Sequence, residues 1–141
     1  MEKHKDDRPV IDLIDINENN EILLTNKKGT WILPWGKTDD EKDQKEQLHT
    51  LTREIEEELN GAEIDPNSIT PYKTFTWLTP FSQKQIKVIC YFGKLLSENI
   101  TASAEIMEAR YEKHPLTLNL STITKEIIET LIADWYLDAT K

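Results

Sequence analysis

The sequence holds a single cysteine, Cys90, so no disulfide framework can form within the chain. Cys90 sits in the apolar run Ile86–Phe92, where a buried small side chain is expected. No apolar run approaches the roughly 20 residues that a membrane-spanning helix needs. The opening Met1-Glu2-Lys3-His4-Lys5-Asp6-Asp7 lacks an apolar signal segment, which makes the cytoplasm the expected location. Positive charge is scarce: 17 Lys and Arg face 26 Asp and Glu, a net charge of −9. Long nucleic acid is held through its phosphates by a basic surface, so this balance argues against such a partner. Small phosphate compounds stay in play, because bound cations reverse the local sign. His4, His49 and His114 are dispersed and form no metal-ligand spacing.

What the chain does have is the stretch Arg53-Glu54-Ile55-Glu56-Glu57-Glu58-Leu59, followed by Asn60-Gly61. At about 100° per residue, Glu54, Glu57 and Glu58 fall within one third of a helix circumference. Three like charges that close repel, and folding alone does not ask for them. A hard divalent cation does, since Mg²⁺ binds carboxylate oxygens and neutralises them. The plain alternative is a solvated acidic helix face.

The rest of the chain reads as a mixed α/β sequence. Residues 1–8 are charged and expected to fray, leaving 9–141 as a single domain large enough for a core. Val10–Ile16 alternates apolar and acidic residues, as a half-buried strand does. A second strand over Glu21–Thr25 and a short one over Trp31–Leu33 follow, the latter ended by Pro34. A helix from about Glu46 to Leu59 carries the apolar stripe Leu48, Leu51, Ile55, Leu59, beside the glutamates rather than behind them. Strands are expected over Tyr72–Leu78 and Ile86–Leu96, with a short one near Ala109–Tyr111. The second of these is apolar on both faces, as a central strand is. Ser121 or Thr124 caps a last helix, Lys125–Leu137, whose apolar face runs through Ile127, Ile128, Leu131, Ile132 and Trp135. A mixed sheet between helices accommodates this order.

Upstream of the acidic helix stands Trp31-Ile32-Leu33-Pro34-Trp35-Gly36-Lys37. This W-x-x-P-x-G-K turn, leading into R-E-x-x-E-E, resembles the box of the Nudix hydrolases. That box runs G-x5-E-x7-R-E-U-x-E-E-x-G-U, with U a bulky aliphatic residue. Its metal-binding half is present in order as Arg53, Glu54, Ile55, Glu57 and Glu58. Four departures stand out. Trp35 replaces the usual glycine before Gly36, and the gap from Gly36 to Arg53 is three residues longer than the pattern. The pattern's first glutamate falls on Lys45, with Glu46 one place later as a partial substitute. Asn60 replaces the closing glycine; it tolerates the left-handed conformation, and Gly61 follows.

The resemblance implies a Nudix-like α/β/α sandwich with a central mixed sheet, covering most of the chain. It implies Mg²⁺, with Mn²⁺ as a substitute, held by Glu54, Glu57, Glu58 and the backbone carbonyl of Trp35, with Glu46 as a weaker candidate. Arg53 matches the arginine that orients the glutamates. Glu105 resembles the acidic residue supplied by a later loop as ligand or general base, with Glu108 its competitor. Lys37 is a candidate for a phosphate, and Trp35 and Trp77 for contact with a base. The implied reaction is Mg²⁺-dependent hydrolysis of a nucleoside diphosphate linked to another group, by a monomer or homodimer. The competing reading is a Nudix-fold nucleotide-binding or regulatory domain whose turnover is impaired by the insertion, Trp35 and Lys45.

Overall fold

The computed structural model describes residues 8–38, 43–78, 84–103 and 106–138. The elements are β1 (Val10–Ile14), β2 (Ile22–Lys27), β3 (Thr30–Ile32), β4 (Trp35–Lys37), α1 (Gln44–Glu58), β5 (Thr70–Leu78), β6 (Gln85–Phe92), β7 (Glu108–Glu112) and α2 (Thr122–Ala133). The expected mixed sheet is present as the order β4-β1-β6-β5. Within it β1 and β6 run parallel, while β4 and β5 join antiparallel. A three-stranded antiparallel sheet, β3-β2-β7, accompanies it. Of the segment expected to fray, only Arg8 lies among the described residues.

Alternation along β1 divides the core. Ile11 and Leu13 belong to one cluster with Leu51, Ile55 and Leu59 of α1. Val10 and Ile14 belong to another with Ile123, Ile127, Ile128 and Leu131 of α2. The sheet is thus covered on both faces, which is the sandwich the resemblance implied. All five residues of β1 are buried, Asp12 included, so the half-buried strand expected from its acidic alternation is wrong. With neighbours on both edges and a helix on both faces, β1 has no solvent side for Asp12 to occupy.

Helix ends follow local chemistry. Asp43 caps α1 by accepting from the Glu46 N–H (3.2 Å), two residues earlier than the sequence suggested. At the other end Asn60 and Gly61 both take positive φ, and the Gly61 N–H donates to the Glu56 carbonyl at 2.7 Å. That six-to-one bond is a Schellman closure, with Asn60 in the place glycine usually takes. Ser121, not Thr124, caps α2. The α2 helix stops at Ala133, so Trp135 lies beyond it and is 93% exposed instead of joining the apolar face.

Candidate active site

Three residues after Pro34 proved to be a strand rather than only a turn. Trp35–Lys37 pairs with β1 in the register Val10–Lys37, Ile11–Gly36, Asp12–Trp35. Bonds from the Leu13 N–H to the Pro34 carbonyl (2.9 Å) and from the Thr38 N–H to the Pro9 carbonyl (3.0 Å) set the alternation. Residues 34, 36 and 38 turn their backbone groups toward β1. By the antiparallel rule, the backbone groups of Trp35 turn outward, to the open edge of the sheet. Trp35 also keeps an ordinary negative φ, so replacing the usual glycine costs no backbone strain here.

Gly36 faces α1. A Cβ on it would meet Glu54 Cγ at 2.6 Å and Thr50 Cγ2 at 3.4 Å. The glycine therefore serves the close approach of helix to strand, not an unusual φ. This contact brings Glu54 beside the strand. Glu58, one turn later on the same side of α1, is 8% exposed.

Both glutamates line a cleft of about 240 Å³ with Trp35, Gly36, Lys37, Arg53, Arg8 and Lys27. Two carboxylates and four cations meet there, in a chain that is otherwise strongly acidic. Arg53 leans on Glu54, the next residue along α1, at 3.6 Å. Lys27 Nζ lies 5.5 Å from the Trp35 ring centroid. Arg8 and Lys27 come from outside the motif, and no local sequence pattern marks them. Sheet topology alone delivers them.

The other residues singled out in the sequence are placed differently. Glu57 is exposed, next to Glu58 on α1. Glu46 is exposed in the first turn, eight residues and about 12 Å of helix from Glu54. Glu105 lies outside the described residues. Its neighbours are tied to the end of α1, through the Ser103 N–H on the Glu58 carbonyl (2.9 Å) and Asn60 Nδ2 on the Ala102 carbonyl (3.0 Å). Glu108 is exposed on β7, engaged by Arg110 at 2.9 Å. Trp77 stands on β5, on the far side of the sheet from α1, where it packs against the α2 cluster. Cys90 is buried, as expected.

On that far side a second space opens, an apolar cavity of about 150 Å³ walled by Trp35, Trp77, Val10, Val88 and Ile123, with Asp12 in the wall. Burial, and then the charge of Glu58, push the Asp12 carboxyl well above its ordinary range. Trp35 lines both spaces, so cleft and cavity adjoin at this residue.

Among the described residues, no three His, Cys, Asp or Glu side chains form a ready-made metal cage. Mg²⁺ does not demand one; it takes one or two carboxylates and completes its shell with water and substrate phosphate oxygens. Glu54 and Glu58, with an outward carbonyl on the same wall, are a donor set of that kind.

A mixed sheet flanked by two helices, with a glutamate-bearing helix packed against a glycine turn, defines a fold class that comparison with known proteins identifies. The model of the NUDIX domain matches residues 6–131, and the chain belongs to that family, the class of the Nudix hydrolases. No curated protein sequence matches it significantly. Among solved structures it is similar to the MutT NUDIX hydrolase of Burkholderia pseudomallei, with TM-score 0.70 and 20% identity over 86% of this chain and 95% of that one. The NUDIX domain of Shewanella oneidensis NrtR, complexed with ADP ribose, gives TM-score 0.69 and 17% identity over 94% and 90%. A UDP-X diphosphatase gives 0.67 and 21% over 96% and 66%. At these identities the likeness is one of fold. No helix among the described residues is long and apolar enough to cross a membrane.

Proposed function

We propose that the protein is a Mg²⁺-dependent pyrophosphohydrolase that cleaves a nucleoside diphosphate linked to another group. The observation that carries this reading is the pairing of two spaces at Trp35. One is a cleft in which Glu54 and Glu58 sit among Arg8, Lys27, Lys37 and Arg53; the other is an apolar cavity of ring size. A nucleotide diphosphate has the same two-part character. The reading also agrees with what two structural neighbours are named for, a diphosphatase of UDP-X and a domain complexed with ADP ribose.

In this proposal Lys37, Lys27 and Arg8 bind the phosphate oxygens, and their charge draws an anionic substrate into an otherwise repelling molecule. Arg53 orients Glu54 from 3.6 Å. Glu54, Glu57, Glu58 and the Trp35 carbonyl would hold the metal, Glu57 by turning in from its exposed position, with Mn²⁺ able to replace Mg²⁺. When bound, the metal neutralises phosphate charge and acidifies a water. A carboxylate must accept that water's proton, and Glu105 is assigned the role, with Glu54 or Glu57 as the acceptor if Glu105→Gln stays active. Trp35 and Trp77 contact the base.

The test is hydrolysis of a panel of nucleoside triphosphates, nucleoside diphosphate sugars and dinucleoside polyphosphates, with and without Mg²⁺ or Mn²⁺. Glu58→Gln and Glu57→Gln are run alongside. The expected result is metal-dependent release of a nucleoside monophosphate, reduced on the order of 10²-fold or more in Glu58→Gln. Nucleotide binding with no turnover under either metal would replace this reading with a binding or regulatory domain.

A further inference from the structure

The two sheets end at β4, β5, β3 and β7, and three of these edges are guarded. β4 is only three residues long. The edge of β3 is taken by the chain after β7, through the Trp31 N–H on the Asn119 carbonyl (2.8 Å) and the Ser121 N–H on the Trp31 carbonyl (3.2 Å). β7 carries Glu108, Arg110 and Glu112. Short strands, covering segments and edge charges are the usual means of keeping one sheet from pairing with another. β5 is nine residues long, and no strand lies on its outer side among the described residues. Its first half is blunted by Pro71, Lys73 and a register irregularity between Pro71 and Thr74. Its second half, Thr74-Phe75-Thr76-Trp77-Leu78, pairs with β6 without a break and carries no charge, proline or glycine. A regular, uncharged edge of strand-forming residues is the kind that takes on a further strand.

Trp135 stands beside this edge. The residues on either side of it touch the start of β5. The Tyr72 hydroxyl (2.6 Å) and Lys73 Nζ (2.5 Å) donate to Asp134 Oδ2, and the rings of Tyr72 and Tyr136 lie 5.5 Å apart. Trp135 itself holds φ 67° and is 93% exposed. A tryptophan held in the left-handed conformation and left in solvent costs the single chain free energy. Tryptophan is also among the residues that most often anchor a protein interface. The unguarded edge and the exposed tryptophan on its flank point to one surface.

Charge and sequence identify what that surface meets. Two chains of net charge −9 repel one another over most of their surface. Residues 66–97, which include β5, hold no Asp or Glu and four lysines, Lys73, Lys84, Lys87 and Lys94. This is the longest acid-free stretch of the sequence, so two copies approach there without carboxylate repulsion. Laid antiparallel on itself about Thr76, the segment 74–78 is self-complementary. Thr76 meets Thr76, Phe75 meets Trp77 and Thr74 meets Leu78, and aromatic and threonine pairs of this kind stabilise antiparallel strands. Lys87 lies opposite Thr76 on β6. It would stand about 14 Å from its counterpart, three strand spacings away and beyond a Debye length at physiological salt.

We propose that two copies of this chain pair through residues 74–78 of β5, about a two-fold axis at Thr76. The four-stranded sheet then continues from one copy into the other, with Trp135 of each copy packed on its neighbour. The β4 edge, where the cleft lies, stays open.

Sedimentation equilibrium of the full chain tests this, over a range of about 1 to about 300 µM. The interface is small, so a dissociation constant on the order of 1–100 µM is expected. Thr76→Lys sets two like charges against each other at the axis and should raise that constant about tenfold or more. Trp135→Gly should raise it by about the same factor, although it relieves the strained φ of the single chain. A purely structural role for the indole would not give that combination. Thr76→Cys should form a disulfide-linked dimer on oxidation, since directly opposed antiparallel residues have Cα atoms about 4.5–5.5 Å apart, within disulfide reach. Thr74→Cys, about 13 Å out of line with its counterpart, should not. Cys90 is buried and does not compete. Thermal melting establishes that the variants fold. A chain that is monomeric at every concentration would overturn the proposal and leave the edge to an extended segment of another protein. A dimer that neither Thr76→Lys nor Trp135→Gly weakens would also overturn it, as would a Thr76→Cys that crosslinks no faster than Thr74→Cys.

Discussion

A Cβ on Gly36 would stand 2.6 Å from Glu54 Cγ, and that contact joins the glycine turn to the carboxylate helix. Because Cγ is not the free end of the side chain, an alanine there forces the strand and helix apart or swings Glu54 aside. Gly36→Ala should cost about 1–3 kcal/mol in urea unfolding, the usual result of overpacking. Any hydrolytic activity should fall further than stability predicts, by on the order of 10²-fold, since a 1 Å displacement of a reacting group has that effect. Full activity in a folded Gly36→Ala would separate Glu54 from the chemistry.

Asp12 should make the protein less stable at neutral pH than it could be. Burial, then Glu58, raise its folded-state pKa above the ordinary 3.8. A group raised in this way gives its full stabilising contribution below the unfolded value, and loses it as pH rises through the folded one. Asp12→Asn removes that loss, so its melting temperature at about pH 7 should exceed wild type by several degrees, on the order of 1–3 kcal/mol. Toward about pH 4 the gain should shrink. A gain that is flat with pH would remove the carboxyl from the account.

The contrast between α1 and the site around it explains what the sequence disclosed. Leu51, Ile55 and Leu59 recur at helical steps and Gly61 ends the run, so helix, buried stripe and glutamates were all legible locally. Gly36 was visible as a motif residue, but its reason, the approach of Glu54, exists only in three dimensions. β4 was read as a turn because three residues carry no usable period, and only pairing with β1 makes Trp35–Lys37 a strand. Arg8, Lys27 and Asp12 reach the site through strand order, which no pattern in their own segments records. Trp135 misled in the other direction. It continues the four-residue step from Leu131, yet the helix closes before reaching it.

The two sheets are tied at a buried carboxylate. Asp15 accepts from the Tyr111 hydroxyl at 2.5 Å and from the Leu95 N–H at 3.2 Å, linking the end of β1 to β7 and to the segment after β6. Burial raises the Asp15 pKa, and the Tyr111 bond opposes that rise by favouring the ionised form. Tyr111→Phe keeps the packing and deletes the donor. It should destabilise the fold by about 1–3 kcal/mol, the cost of leaving a buried acceptor short of a partner. The deficit should grow as pH rises from about 4, the ordinary carboxylate range, to about 8, because the deleted bond favours the charged carboxylate. Denaturant unfolding at both ends of that range measures it, and an equal deficit at each would assign the loss to packing instead.

Trp135 sits one residue past the cap of α2, at φ 67°. The Trp135 N–H donates to the Ile132 carbonyl at 3.1 Å and the Tyr136 N–H to the Leu131 carbonyl at 2.9 Å, the paired bonds of a Schellman closure. The position calls for a left-handed residue, which glycine fills at no steric cost and a bulky side chain does not. Nothing among the described residues repays tryptophan there, since the residue is 93% exposed. Trp135→Gly should therefore stabilise the protein, by about 0.5–1 kcal/mol after the extra unfolded-state entropy of glycine is subtracted. Urea unfolding at neutral pH is sufficient to read a change of that size. A loss of stability would mean that the indole makes a contact worth more than the strain, and the exposed ring would then have to be bound by something in solution.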